Sequence, residues 1–124
     1  ALEFRTGAIE SLPLADAEVD AACAHMVLHH LPEPRLGLAE MARVVKPGGL
    51  VVALELLPHH ESWMHDAMAD TRLGLDPAVL ESDFRAAGLG GIRREVLTDT
   101  YVVEQPTGRK LQLPLYLLHG RKAG

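Results

Sequence analysis

Between residues 21 and 28 the chain reads Ala-Ala-Cys-Ala-His-Met-Val-Leu, an apolar run with almost no polar interruption. Such a run predicts a strand covered on both faces, as in parallel sheets, with Cys23 a small buried hydrophobe. It stops at His29-His30 and the two prolines Pro32 and Pro34. From Arg35 to Val45 the spacing becomes helical, because Leu38, Met41, Ala42 and Val45 fall at i, i+3, i+4 and i+7. Glu40 and Arg43 lie off that stripe, three residues apart, and are placed to pair on the wet side. Pro47-Gly48-Gly49 ends the helix, and Leu50 to Leu57 reads as a second buried strand rich in β-formers. Strand, helix, tight turn and strand make a right-handed βαβ crossover.

The flanks add shorter elements. Leu2 to Arg5 reads as a strand end broken by Thr6-Gly7, and residues 10–20 form a polar loop that Pro13 keeps extended. Beyond Pro58, the segment Glu61 to Leu73 sets Trp63, Met64, Ala67 and Met68 on one helical face as core filling, a role shared by Met26. Asp76 and Pro77 open a further helix as N-cap and first helical residue. Leu80, Phe84 and Ala87 line its buried side, Gly88 ends it in the left-handed conformation, and Leu89 packs back on it. Gly91 to Thr98 and Leu111 to His119 are strands joined without a helix, so they pair antiparallel. The fold expected is α/β: a Rossmann-like doubly wound sheet, mostly parallel, with an antiparallel C-terminal edge.

At 124 residues there is room for one domain. Apolar residues make up 48% of the chain, yet no run approaches the roughly 20 needed to span a bilayer. The start has neither the basic nor the apolar region of a secretory signal. A single cysteine forms no internal disulfide, and these features together suit a reducing cytoplasmic setting, away from membranes. The net charge of −5 argues against nucleic-acid binding over the whole chain. Residues 1–92 carry 6 basic and 14 acidic groups, whereas residues 93–124 carry 6 and 3. The basic groups come as Arg93-Arg94, Arg109-Lys110 and Arg121-Lys122, which suit either solvated strand ends or an anion-attracting face. His59-His60-Glu61 with His65 resembles a metal site only superficially, since a five-residue spacing aligns poorly on one helical face, and no metal is expected.

Leu12-Pro13, Val19-Asp20, Leu28-His29-His30 and Arg43-Val44-Val45-Lys46-Pro47-Gly48-Gly49 occur in that order. This series resembles class I S-adenosylmethionine-dependent methyltransferases of the small-molecule group that includes the ubiquinone and menaquinone enzymes. Trp63-Met64, Leu73-Gly74-Leu75-Asp76-Pro77 and Ala87-Gly88-Leu89 are similar to methyltransferase domains fused behind winged-helix repressors of the arsenic-metalloregulator type. The resemblance assigns these strands to the third through seventh of a seven-stranded sheet. Residues 1–124 are then the C-terminal portion of a methyltransferase domain, an incomplete one. No G-x-G-x-G follows any strand, so the loop that approaches the cofactor's methionine end has no counterpart here. The Leu2 to Arg5 strand would face a gap, which another segment or a homo-oligomeric partner would have to pair.

What the resemblance implies for the site is the adenine side of an S-adenosylmethionine pocket. Its adenine-contacting positions match Ala8 and Ile9, although Ala8 lacks the acidic or amide side chain usual there, and the cofactor-facing residue near the end of the following strand matches His25. His29 and His30 are candidate catalytic residues, either one able to take a proton from a small-molecule acceptor. For each, the alternative is a histidine bonded to backbone or packed under the next helix. The implied activity is methyl transfer by the complete parent protein, the isolated chain being inactive and binding the cofactor poorly. A second reading is a ligand-sensing domain of a winged-helix regulator, with nucleic acid contacted only through the fused N-terminal domain.

Overall fold

The computed structural model describes residues 7–58, 74–105 and 107–124. In chain order these form β1 (Val19–His25), a 3-10 turn (Leu28–His30), α1 (Pro34–Val44), β2 (Val45–Leu56), α2 (Pro77–Ala86), β3 (Leu89–Glu104) and β4 (Lys110–Lys122). The expected strand at Leu2 to Arg5 and helix at Glu61 to Leu73 lie outside the described residues. The sheet order is β1-β2-β4-β3. β1 and β2 pair in parallel, and β4 runs antiparallel to both β2 and β3. Three strands therefore share one direction. The reversed strand sits one place in from the rim, not on it, because β3 and β4 form a hairpin whose second strand docks on β2. The α/β, Rossmann-like, mostly parallel sheet read from the sequence is the fold observed.

Both described helices pack on one face of this sheet. Leu38, Met41 and Ala42 of α1 and Leu80 and Phe84 of α2 meet Ala24, Val51, Ala53, Tyr116 and Leu118 in one buried cluster. On β1, Ala24 is buried and Ala22 half-buried, while Ala21, Cys23 and His25 are exposed. This corrects the expectation of a strand covered on both sides: Cys23 is exposed. Its neighbours are alanines, whose exposure costs little, so composition alone did not distinguish the two cases. The apolar run also leaves the sheet early. Met26 adopts φ 55°, which lifts the chain out of the sheet, and Leu28 reaches the core from the 3-10 turn.

The crossover differs from expectation in one detail. Val45 is fully buried, as its stripe position predicts, but it is already the first residue of β2. Pro47-Gly48-Gly49 then forms a bulge inside the strand, between the pairs Val19 with Val45 and Ala21 with Leu50. Gly49 is required there, since a Cβ would fall 2.7 Å from the Asp20 carbonyl oxygen.

α2 follows its local signals. The Asp76 carboxylate accepts from the Ala78 N–H at 2.9 Å, Pro77 occupies the first turn, and Gly88 has φ 86°. Leu89 is buried in the same core. Asp76→Ala is expected to cost about 1 kcal/mol, read as a shift in the urea midpoint at unchanged slope. A cost under about 0.3 kcal/mol would mean water caps the helix equally well.

Candidate functional site

Parallel strands place ligands at their carboxyl ends. Here those ends are His25 on β1 and Leu56 on β2. Of the two residues matched to the adenine side, Ala8 is exposed and opens a tight turn in which Ser11 N–H donates to its carbonyl at 3.0 Å. Ile9 is half-buried against the core cluster. This turn continues into a segment clasped to α1. The Leu12 N–H donates to Glu40 Oε2 at 2.7 Å, and Arg43 donates to Glu40 through Nε at 2.7 Å and Nη2 at 2.9 Å. Arg43 also reaches Asp16 Oδ1 at 2.7 Å and the Leu12 carbonyl at 3.3 Å.

Hydrogen bonding from Arg43 holds the Glu40 carboxyl below its usual range, against a smaller opposing effect of burial. The contribution is therefore present above the ordinary glutamate pKa of about 4.3 and is lost as pH falls through the lower folded value. Glu40→Gln is expected to flatten the acid limb of a stability-against-pH profile between roughly pH 5 and 2. Parallel limbs for the two proteins would show that the clasp does not couple to folding.

Gly37, buried inside α1, brings the pieces together. A Cβ there would lie 2.9 Å from Leu31 Cδ1, 3.3 Å from Leu28 Cδ2 and 3.5 Å from Ile9 Cγ1. The turn carrying Ala8 and Ile9 and the turn carrying His29 and His30 thus converge on one helical position.

The two candidate histidines have different surroundings. His29 is 3% exposed, and His30 is exposed. Glu55 of β2, with no exposed surface, holds His29 twice. His29 Nδ1 lies 2.8 Å from Oε2, and the His29 backbone N–H donates to Oε1 at 3.3 Å. The His30 ring leans on the His29 ring, with centroids 4.3 Å apart and planes tilted by 36°. His25 is exposed at the end of β1, in register with Leu54, on the sheet face opposite Glu55. The structure therefore joins His29 to His30 and sets His25 apart from both.

Glu55 is the residue that sequence reasoning undervalued. Its signal was a lone acid within the run Leu50 to Leu57, and its partner lies 26 residues earlier. It also borders the buried hydroxyl of Tyr116, which burial, with help from the Glu55 charge, pushes well above the ordinary tyrosine range. That hydroxyl donates to the Leu75 carbonyl at 2.8 Å.

Other candidates fall elsewhere. His59, His60, Glu61 and His65 lie outside the described residues. A cavity of about 380 Å³ opens between the starts of α1 and α2, lined in part by Glu33, Arg35, Leu75 and Asp76, and the paired histidines are not among its lining residues. The basic C-terminal pairs are partly absorbed into structure: Arg94 pairs with Glu81, Arg121 donates to the Gly48 carbonyl and Lys122 to that of Val45. Among the described residues no helix is long and apolar enough to cross a membrane.

Comparison with known proteins agrees with the fold. Residues 1–53 match the family model described as "Methyltransferase domain". A demethylmenaquinone methyltransferase of Desulfitobacterium hafniense is 46% identical over 55 residues, which is 44% of this chain and 22% of that enzyme. The chain thus spans about a fifth of the length of the first curated relatives it matches. Among solved structures, the Bacillus halodurans C-125 protein BH2331, a methyltransferase candidate, superposes with a TM-score of 0.72 at 15% identity, covering 99% of this chain and 78% of its own. A Haemonchus contortus phosphoethanolamine N-methyltransferase, solved with phosphomonomethylethanolamine and S-adenosylhomocysteine, gives 0.70 at 10% identity, covering 94% and 36%. The first 53 residues are similar in sequence to methyltransferase domains, and the described residues share the methyltransferase fold.

Proposed function

We propose that this chain is part of an S-adenosylmethionine-dependent methyltransferase acting on a small molecule. The observation that carries the reading is the extent of the family match. It ends at residue 53, inside β2, and so takes in every element that presents Ala8, Ile9, His25, His29 and His30.

The residues present suit the adenine end of the cofactor in part, since Ala8 has no side-chain acceptor for the adenine amino group. Ala8 offers a small, exposed surface and Ile9 a backbone N–H in a turn that Gly37, Glu40 and Arg43 hold in place. His25 adds an exposed imidazole at the strand end, while the sequence holds no G-x-G-x-G after a strand, the motif that would cradle the methionine end. When bound, S-adenosylmethionine supplies an electrophilic methyl carbon with its own leaving group, so the protein's main tasks are orientation and exclusion of water. His30, exposed and braced by His29, is the group an acceptor reaches, and its ring nitrogen takes the acceptor's proton as the methyl bond forms. His29, buried against Glu55, stays behind it. This division of labour refines the pair of catalytic candidates into one contacting and one supporting histidine.

Titration calorimetry tests the reading. The full-length protein is expected to bind S-adenosylmethionine at micromolar affinity, and the 124-residue chain alone much more weakly. No binding by the full-length protein would overturn the function, and micromolar binding by the chain alone would overturn the assignment of the missing cradle. Binding without transfer of radiolabelled methyl to a small-molecule extract would favour ligand sensing over catalysis.

A further inference from the structure

The buried carboxylate of Glu55 has a chemical consequence for the histidine beside it. Its two oxygens are both committed to one residue: Oε1 accepts the His29 backbone N–H at 3.3 Å, and Oε2 sits 2.8 Å from Nδ1. If the carboxylate is ionised it only accepts hydrogen bonds, and an Nδ1 this close then carries a proton. Backbone and ring are gripped together, which removes the freedom of the ring to turn about χ1 and χ2.

We propose that Glu55 is a positioning residue: it fixes His29 as the Nδ1–H tautomer, with the basic lone pair on Nε2, and thereby sets the plane on which the His30 ring rests. This inference builds on the proposed role of His30 at the acceptor and adds a tautomer and a partner that the role requires. The His30 ring centroid lies 4.3 Å from that of His29 with the planes tilted by 36°, so the orientation of His30 depends on where the His29 plane lies. A rotated or flipped His29 ring would move that plane. The arrangement parallels the general rule that an imidazole's tautomer is set by the hydrogen bond its other nitrogen makes.

Long-range ¹H–¹⁵N correlation spectra of histidine-labelled full-length protein read the tautomer directly, with His29 assigned by its loss in His29→Gln. The wild type is expected to show His29 protonated at Nδ1 and bare at Nε2 at pH 8. In Glu55→Gln, the amide oxygen keeps the backbone N–H while the amide nitrogen donates to Nδ1, so the ring is expected to switch to Nε2–H. The same switch should shift the His30 ring-proton resonances, because the proton and lone pair of the ring beside it exchange places. A wild-type His29 protonated at Nε2, or at both nitrogens, overturns the proposal, as does a folded Glu55→Gln protein whose His29 keeps the Nδ1–H pattern. Should Glu55→Gln fail to fold, the wild-type spectrum alone still decides. None of these readouts needs cofactor or acceptor. An Nδ1–H tautomer in a protein that binds no S-adenosylmethionine would defeat the methyltransferase reading and leave the Glu55–His29 geometry standing.

Discussion

Phe84→Ala is expected to remove about 3–5 kcal/mol from the unfolding free energy. The ring has no exposed surface and sits on the inner side of α2, beside Leu80, between that helix and the sheet. Opposite it, Gly120 of β4 has no side chain, and a Cβ there would stand 3.4 Å from the ring's Cδ2. The ring fills the space that glycine leaves, so the two positions are complementary. Truncation to alanine loses the transfer free energy of the ring and leaves a void between rigid elements that close only partly. Urea denaturation at neutral pH measures the loss, and Val79→Ala on the exposed side of the same helix is the control. Val79 is 60% exposed and its truncation should stay within about 0.5 kcal/mol. A Phe84→Ala cost near that of Val79 would mean α2 does not seat on the sheet as described. Phe84→Leu should recover more than half of the loss, because most of the volume returns.

The contrast between α2 and the strands shows what the sequence makes legible. α2 announces itself through contacts within a few residues: Asp76 caps Ala78, Pro77 starts the helix, and Gly88 ends it at positive φ. The strand segments were recognisable for a similar reason, since β-branched and apolar residues cluster in them. Their order was not, because the insertion of β4 between β2 and β3 depends on which edge of β2 is open when the hairpin docks. Left-handed Met26 gave no warning either, as a non-glycine residue at positive φ is held there by its surroundings, here the bond from its N–H to the Leu54 carbonyl. Among the site residues, the adjacent pair His29-His30 was visible as a motif. Which histidine is buried depends on a carboxylate 26 residues away, and no local pattern encodes that distance. Gly37 was similarly silent: an interior helical glycine signals close approach, but not which segments approach.

The same carboxylate carries the second large effect. Glu55→Ala is expected to cost about 3 kcal/mol, because it opens a cavity and leaves two His29 donors without an acceptor in a site that water does not reach. His29→Ala should cost a comparable amount, since it strands a fully buried carboxylate. The informative quantity is the double variant. Once one partner is gone the other has nothing left to lose from the pair, so the two costs should fall short of adding by about 1–3 kcal/mol. Urea denaturation of the four proteins closes the cycle, with Tyr116→Phe as a check on the neighbouring hydroxyl, whose bond runs to Leu75 and not to the pair. Strict additivity would show that the 2.8 Å contact is incidental to the fold. A deficit in the expected range would mean that β2 and the turn after β1 are joined by this pair.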